Sequence, residues 1–307
     1  MRIELNKINE AIRSDPKAFI AECDAQYDRR VGAAADAIKE RMCDSRVILL
    51  AGPSSSGKTT TAGRLRKAMA DRGIFCHMIS LDDYYKSKHE PGYPLTPEGE
   101  PDLETPLALQ LDLLSEHLGA LDRGEEITVP HFDFKEQRRA PELAWNLKLG
   151  ENEAVIFEGI HGLNPMLTDR HPEATRLFVS TATSVYDGDI EIFDRVWMRV
   201  LRRMVRDFNF RSADAEETLS LWKNVRLGEK HYISPYKVTA HIAIDTTHGY
   251  EVSAFRNTAE PMLRNVKENA QPRLTKNILE GLESFTPLAL DLLPPTCLLK
   301  EEFLPKD

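Results

Sequence analysis

Residues 52–59 are Gly52-Pro53-Ser54-Ser55-Ser56-Gly57-Lys58-Thr59, and they match the phosphate-binding loop pattern G-x-x-x-x-G-K-[ST] without a gap. The apolar run 46–51 before them predicts a buried strand, and residues 60–71 after them predict a helix. Glycines let backbone N–H groups turn toward phosphate oxygens, and a helix N-terminus adds a favourable dipole. The flanking strand and helix disfavour the alternative, a Ser/Gly surface turn. The stretch therefore predicts a nucleoside triphosphate site.

The side chains of this loop suit a triphosphate with its metal ion. Lys58 supplies a point charge for the outer phosphates, and the Thr59 hydroxyl is placed to bind Mg²⁺. The sequence leaves open whether the nucleotide is ATP or GTP. The residues expected to bind the nucleotide are Gly52, Pro53, Ser54, Ser55, Ser56, Gly57, Lys58, Thr59 and Thr60.

From residue 46 onward, apolar runs alternate with helical patterns. This alternation is typical of the α/β class, with a mainly parallel sheet covered on both faces. We expect a P-loop NTPase-type three-layer fold. The predicted strands are 46–51, 74–80, 153–158, 175–180 and 239–244, and the predicted helices are 58–72, 105–122, 190–208, 214–229 and 250–269.

Segments outside this alternation define the expected domain organisation. Residues 1–45 predict a helical N-terminal extension, with a break at Asp15-Pro16 where an N-cap precedes a proline. Two short runs, 126–130 and 143–149, predict a small antiparallel insertion. The resulting division is an extension at 1–45, a main domain at 46–270 with an insertion at about 123–150 and a lid at about 206–216, and a C-terminal helix with a docked tail at 271–307.

Composition narrows the class of protein. The 307 residues carry a net charge of −9, which argues against a general nucleic-acid binder. The four cysteines lack C-x-x-C spacing, so neither a disulfide framework nor a zinc site is indicated. No apolar signal core or membrane-length window is apparent, so we expect a cytoplasmic protein without membrane partners. The oligomeric state, including a homo-oligomer, is left open.

Carboxylates follow two of the predicted strands, where ligands gather in open α/β sheets. Asp82 and Asp83 come after the second strand, and Asp82 could take the proton of an acceptor hydroxyl while approaching the metal. The alternative is an aspartate that caps a short helix. Glu158 ends the third apolar run, where a charge is costly unless it is paired with a metal or water.

The predicted helix 190–208 carries many arginines. Its apolar face is expected to be buried and to include Phe208, while Arg195, Arg199 and Arg202 are expected on a solvated face. A transferring phosphoryl group needs guanidinium charge beyond the loop lysine. Arg206 and Arg211 therefore predict one side of a lid that also excludes water. The predicted buried stripe is Trp197, Val200, Leu201, Met204 and Phe208.

Taken in order, these motifs resemble the uridine kinase and phosphoribulokinase family of P-loop kinases, in particular its bacterial nucleoside kinase-like branch. The resemblance covers about residues 46–245. The branch is indicated by the runs at 159–165 and 294–299. The motifs are Gly52–Thr59, Ser80-Leu-Asp-Asp-Tyr-Tyr85, Pro130-His-Phe-Asp-Phe134 with Arg139, Phe157-Glu-Gly-Ile160, and Arg202-Arg-Met-Val-Arg-Asp207.

The resemblance implies roles at the phosphate end of the site. Asp82 matches the family's catalytic base, which also faces Mg²⁺, and Thr59 and Glu158 match the other metal-side positions. Arg206 and Arg211 match lid arginines that reach ATP phosphates. The cofactors implied are ATP and Mg²⁺, and the implied catalytic residues are Asp82, Lys58, Arg206 and Arg211.

The resemblance also implies residues that bind the acceptor. Asp102 aligns with a carboxylate that grips ribose hydroxyls, and Arg203 with a residue near the sugar. Phe132 and Phe134 align with the base pocket. The implied substrate-binding residues are Asp82, Tyr85, Asp102, Phe132, Phe134, Gln137, Arg139 and Arg203.

Several positions depart from the family pattern. Phe132 and Gln137 stand where the uridine and cytidine enzymes place a tyrosine and a histidine that read the pyrimidine edge. Losing such readers leaves polar groups of a pyrimidine unpaired. The acceptor expected first is the 5′-hydroxyl of a nucleoside. The alternatives are a sugar phosphate, with Lys86, Lys88 and Lys135 as contributors, a pantothenate-like alcohol, or a catalytically silent ATP-responsive binding protein.

Overall fold

The structure is a computed structural model that describes residues 2–88, 90–96, 99–268 and 270–305. Its strands, numbered along the chain, are β1 (Arg2–Glu4), β2 (Val47–Ala51), β3 (Phe75–Ser80), β4 (Ile127–Val129), β5 (Phe132–Asp133), β6 (Arg138–Arg139), β7 (Trp145–Leu147), β8 (Glu153–Glu158), β9 (Thr175–Ser180), β10 (Ser184–Asp187), β11 (Ile190–Phe193) and β12 (Ile242–Asp245). Its α-helices are α1 (Leu5–Ser14), α2 (Pro16–Arg41), α3 (Lys58–Ala70), α4 (Leu111–Asp122), α5 (Pro165–Thr168), α6 (Arg195–Arg211), α7 (Ala215–Tyr232), α8 (Glu251–Arg264), α9 (Pro272–Glu283) and α10 (Leu298–Glu302).

A five-stranded sheet in the order β12-β9-β2-β8-β3 lies at the centre of the fold, and all of its pairings are parallel. Every residue of the middle strand β2 is buried. Strands covered on both faces appear in sequence as continuous apolar runs, which is why β2 and β8 could be predicted. The expected α/β class with a mainly parallel sheet is confirmed.

Helices cover both faces of this sheet, so the fold has three layers. Ile48 and Leu50 of β2 belong to the larger apolar cluster, which also contains side chains from α2, α3, α6 and α8. Val47 and Leu49 point to the opposite face, where they pack with side chains of α4, β4 and β7. Successive side chains of β2 point to opposite faces of the sheet and therefore contribute to two separate apolar cores.

The insertion is antiparallel, as expected. Strand β4 pairs with β7, and the two-residue strands β5 and β6 pair beside them. The proline-rich segment before α4 is less regular than predicted. Residues 106–108 form a separate 3₁₀ turn that begins at a proline, and α4 begins only at Leu111.

The prediction of one helix over 190–208 is wrong at its start. Residues 190–193 form strand β11, which pairs antiparallel with β10, and β10 pairs in parallel with β1. Asp194 then caps α6 by accepting a hydrogen bond from Val196 N at 2.6 Å. Alternating apolar residues followed by a cap residue explain the boundary.

Two other predicted boundaries shift. Residues 234–239 form a 3₁₀ helix, so the last central strand is 242–245 and not 239–244. Helix α8 ends at Arg264, whereas helix was predicted to 269, a position outside the described residues.

Both ends of the chain pack on the main sheet and its helices. Asp15 caps α2 by accepting a hydrogen bond from Ala18 N at 3.0 Å, with Pro16 as the first helical residue. At the other end, Leu298, Leu299 and Phe303 are fully buried in the larger cluster. Over the part of the chain that the structure describes, none of the helices is long and apolar enough to span a membrane.

Candidate active site

The loop 52–57 joins the end of β2 to α3 in a tightly confined turn. A Cβ on Gly52 would lie 2.0 Å from the carbonyl oxygen of Val179, so only glycine fits there. Gly57 has φ 87° and Ser55 has φ 58°, both in the left-handed region. Such a turn directs successive N–H groups into one concavity, which is the geometry of an anion site.

Two hydroxyls of this loop have unmet hydrogen-bonding capacity. Ser55 and Ser56 are buried, and within the described structure their Oγ atoms have no hydrogen-bond partner. Buried polar atoms without partners are rare in folded proteins and need an explanation. Phosphate oxygens in the loop would supply the missing acceptors.

Lys58 begins α3 and folds back over the loop, donating to the carbonyl oxygen of Pro53 at 3.2 Å. Desolvation lowers the pKa of Lys58, and the charges of Glu158 and Asp82 oppose this shift. The ammonium thus lies near two carboxylates at a cavity of about 570 Å³. The described residues around this cavity are Ser54, Ser55, Lys58, Thr59, Asp82, Tyr85, Lys86, Lys88, Tyr93, Leu103, Glu104, Phe132, Phe134, Gln137, Glu158, Gly159, Ile160, Arg203, Arg206, Arg211, Val225, Glu229, Ile233 and Glu302.

Asp82 lies in this cavity with Lys58, on the short helix that follows β3. The helix is capped by Ser80, whose Oγ accepts a hydrogen bond from Asp82 N at 3.2 Å, so Asp82 itself is not the cap. Burial, reinforced by the charge of Glu158, raises the pKa of Asp82 to about 6, and Lys58 opposes this shift. A carboxylate with a pKa near neutrality suits general-base chemistry.

Thr59 and Glu158 meet at the same edge of the sheet. The Thr59 hydroxyl donates to Glu158 Oε1 at 3.0 Å, while Glu158 Oε2 is buried and has no partner among the described residues. No group of three or more His, Cys, Asp or Glu residues that could hold a metal occurs in the ranges that the structure describes. One hydroxyl and two carboxylates nevertheless fit Mg²⁺, which usually takes one or two carboxylates plus phosphate oxygens and waters.

Helix α6 brings three arginines to the cavity: Arg203, Arg206 and Arg211. All three lie within 4 Å of the buried Asp207 carboxylate, at 3.3, 3.0 and 3.6 Å. Arg203 also donates to Ser54 Oγ of the loop at 3.0 Å. Guanidinium charge is therefore held directly opposite the phosphate loop.

Two arginines predicted on a solvated face are instead buried. Arg202 is fully buried and pairs with Glu251 at 2.6 Å, and Arg199 pairs with Glu229 at 2.8 Å. Arg199 also donates to the carbonyl oxygen of Ser54 at 3.0 Å. Phe208, predicted to be buried, is 54% exposed. The buried face of α6 is thus partly ionic because carboxylates on other helices neutralise it.

The far side of the cavity is aromatic. Phe132 and Phe134 meet edge to face with ring centroids 5.1 Å apart, and Tyr85 lies 5.9 Å from Phe132. Gln137 faces the same space from a left-handed turn with φ 52°. A flat, partly apolar ligand can pack against such rings. Lys86 and Lys88 also line the cavity, whereas Lys135 does not.

The structure does not bring Asp102 and Arg139 to the cavity wall. The Asp102 carboxylate accepts from its own loop, at Glu104 N, at 3.0 Å, and Arg139 donates to Gln110 Oε1 at 2.6 Å. Glu104, two residues after Asp102, lines the cavity instead. It packs so closely on Gly228 of α7 that a Cβ there would lie 2.6 Å from Glu104 Cβ.

Glu104 is an acidic residue of the cavity wall that the sequence-based prediction missed. Burial raises the pKa of Glu104 to about 7, and Arg203 acts against this shift. No local pattern distinguishes Glu104 from Asp102, because both carboxylates lie in the same short run before Pro106. The other cavity residues that were missed are Tyr93, Leu103, Gly159, Ile160, Val225, Glu229, Ile233 and Glu302.

Comparison with known proteins adds independent information. The profile of the phosphoribulokinase / uridine kinase family matches residues 47–253. A uridine kinase from Staphylococcus haemolyticus is 30% identical over 207 residues, covering 66% of this chain and 88% of that protein. One from Halalkalibacterium halodurans is 32% identical over 199 residues, covering 64% of this chain and 84% of that protein.

Among solved structures, one described as a possible uridine kinase from Bacillus stearothermophilus superimposes with a TM-score of 0.46 at 16% identity. That superposition covers 71% of this chain and 98% of the other. A structural similarity with this TM-score and identity supports no argument about the acceptor.

Proposed function

The chain belongs to the phosphoribulokinase / uridine kinase family and is an ATP-dependent kinase, and we propose that it phosphorylates the 5′-hydroxyl of a nucleoside. The observation that carries this proposal is that Asp82 and Lys58 line one cavity that continues into the aromatic wall around Phe132. A triphosphate on the loop and an alcohol on Asp82 would then meet within one enclosure.

The protein groups around the phosphates stabilise charge that develops during transfer. Lys58 approaches from the loop, and Arg206 and Arg211 approach from α6. Preorganised charges in a site that excludes water contribute the most to such catalysis. Closure of the 206–216 segment would also limit hydrolysis, which competes with transfer.

Asp82 orients the acceptor hydroxyl and takes its proton. Its pKa of about 6 leaves most molecules ionised at neutral pH while retaining useful basicity. Thr59, Asp82 and Glu158 are the residues that would hold Mg²⁺. When bound, this ion would neutralise charge on the phosphate oxygens.

The acceptor is held on the other side of Asp82. We propose that Glu104 and Arg203 hydrogen-bond the sugar hydroxyls, because both residues line the cavity and Asp102 does not. Phe132 and Phe134 offer an aromatic surface to a base, and Gln137 offers its polar edge. A base fits this wall better than a bare alcohol does.

The proposal is tested by a screen for acceptor-dependent ADP release. The purified full-length protein is incubated with Mg²⁺ and ATP plus each common nucleoside, several sugar phosphates and pantothenate. We expect ADP only with one or more nucleosides, and a product with the mass and retention of the 5′-monophosphate. The Asp82→Asn variant provides the blank for contaminating kinases.

A second candidate, a sugar phosphate acceptor, is favoured by one observation. Lys86 and Lys88 both line the acceptor side of the cavity and could neutralise an existing phosphate. ADP release with sugar phosphates alone would replace the nucleoside assignment by this one. If no acceptor leads to ADP release, the result would support the catalytically silent ATP-responsive protein and contradict both proposals.

A further inference from the structure

The C-terminal segment 294–304 docks beside the phosphate loop, although its sequence carries no recognised nucleotide motif. Leu298, Leu299 and Phe303 are fully buried in the main apolar cluster. Leu298 reaches the loop itself, where its Cδ1 lies 3.4 Å from the position of a Cβ on Gly57. Unseating three such side chains would expose a large apolar area, so the segment is a permanent part of this region.

Glu302 is the residue of this segment that faces the nucleotide site. Its Oε2 accepts a hydrogen bond from Thr60 Oγ1 at 2.9 Å, and Thr60 belongs to the first turn of α3. Glu302 also lines the cavity that contains Lys58 and Thr59. A carboxylate from the far end of the chain therefore lies at the helix N-terminus that is built to receive phosphate.

Contacts on both sides hold Glu302 in place. Arg64 of α3 pairs with Glu301 at 3.3 Å and donates to the Thr296 carbonyl oxygen. On the other side, Asn209 of α6 donates to the carbonyl oxygen of Phe303 at 2.9 Å. These contacts fix the chain on both sides of Glu302, which limits how far its carboxylate can move when a phosphate group enters the site.

A negative charge at this position opposes a bound phosphate chain. The first turn of α3 attracts anions through its free N–H groups and its dipole. A nucleotide whose phosphates occupy Lys58 and Thr59 must bring further negative charge along the same turn. It would meet the fixed charge of Glu302 and compete with it for the Thr60 hydroxyl.

We propose that Glu302 sets the affinity of the donor site: its carboxylate holds Thr60 in the nucleotide-free enzyme and weakens the binding of nucleotide phosphates. The consequence for the reaction is faster release of ADP. The role concerns the donor side alone, and it does not depend on which alcohol accepts the phosphoryl group.

The test measures the Kd of Mg²⁺-ADP and of pyrophosphate by calorimetry on the full-length protein without any acceptor. We expect Glu302→Gln to bind both about tenfold more tightly than the unmodified protein, because the repulsion is removed. Glu302→Asp, which keeps the charge, is expected to stay within about twofold. Glu280→Gln is the charge-matched control, because this carboxylate of α9 pairs with Lys276 and does not line the cavity.

Two outcomes would overturn the proposal. Unchanged or weaker ADP binding by Glu302→Gln would show that the carboxylate is neutral toward the nucleotide or is a ligand of it. Tighter binding of ADP with no change for pyrophosphate would place the effect on the nucleoside part. Thermal unfolding without nucleotide checks folding, and Glu302→Ser, which removes the charge differently, must change both Kd values in the same direction.

Discussion

Lys58 and Asp82 follow the ends of different strands, and the charge of each affects the pKa of the other. Lys58 follows β2 and Asp82 follows β3, with β8 between the two strands in the sheet. Glu158 at the end of β8 completes the group: burial raises the pKa of Asp82, the charge of Glu158 raises it further, and Lys58 opposes the shift. The reactivity of each side chain is thus a property of the sheet edge and not of its own motif.

The first prediction concerns Asp82 as the base. Asp82→Asn is expected to leave the Kd for ATP within a few-fold and to lower kcat by about two orders of magnitude or more, because the amide cannot accept the hydroxyl proton. Steady-state kinetics with the acceptor found in the screen provides the measurement. Asp83→Asn is the control, since Asp83 instead holds Phe132 N at 3.2 Å. Equal losses in both variants would argue against a base at Asp82.

The second prediction concerns Glu104 and pH. Because burial raises the pKa of Glu104 in the folded state to about 7, its ionisation costs stability. The stability that the protonated Glu104 contributes is complete below its unfolded pKa of about 4.5 and is lost as the pH rises through about 7. Glu104→Gln is therefore expected to raise Tm relative to the unmodified protein at pH 8, and much less at pH 5. A difference in Tm that does not vary with pH would contradict this.

At the level of elements, the arginines of α6 have two roles, lining the cavity and forming buried ion pairs, and the local sequence does not show which arginine has which role. One stretch of arginines provides Arg203, Arg206 and Arg211 to the cavity, and the same helix buries Arg199 and Arg202. Arginine is compatible with both locations because its long stem packs with apolar groups while its head binds a carboxylate. The partners, Glu229 on α7 and Glu251 on α8, are remote in sequence.

The third prediction follows from the Arg202–Glu251 pair. Arg202→Met is expected to lower the free energy of unfolding by about 3–5 kcal/mol, because Glu251 would be left buried without its partner. Chemical denaturation gives this value. Arg195→Met, at the exposed start of the same helix, serves as the control and is expected to change stability by less than about 0.5 kcal/mol. A loss below about 1 kcal/mol for Arg202→Met would show that Glu251 finds another partner.

For the molecule as a whole, both chain ends converge on α3. From α2, Tyr27 shares a buried hydrogen bond of 2.7 Å with Thr61, and from the C-terminal segment Glu302 accepts from Thr60. One apolar cluster runs from Leu5 to Leu304. We therefore propose that the segments 1–45, 46–270 and 271–307 are parts of one cooperative unit and not independent domains.

The fourth prediction tests this unity. Phe303→Ala removes a fully buried ring and is expected to cost about 3–5 kcal/mol of stability. It should lower the single unfolding midpoint of the whole protein without creating a second transition. Phe208→Ala, at a ring that is 54% exposed, is the control and should have little effect. Two separate transitions in a calorimetric scan would indicate that the C-terminal segment unfolds on its own.

Much of the fold could be predicted from local patterns. The phosphate loop was evident from residue types at fixed spacing, and the central strands were evident from continuous apolar runs. The antiparallel insertion was predicted for the same reason. These features depend on steric and solvation preferences of neighbouring residues, which are present in any stretch of chain before it folds.

Other features depend on which distant segments meet. The burial of Arg202 requires Glu251, the position of Glu104 rather than Asp102 at the cavity wall depends on the orientation of one loop, and Glu302 reaches α3 only when the last segment docks. The hairpin of β10 and β11 is local in sequence, but its pairing with β1 joins segments at opposite parts of the chain. Such ion pairs and strand pairings act through space between remote residues, so no short window of sequence contains both partners, and their outcome appears only once the chain has folded.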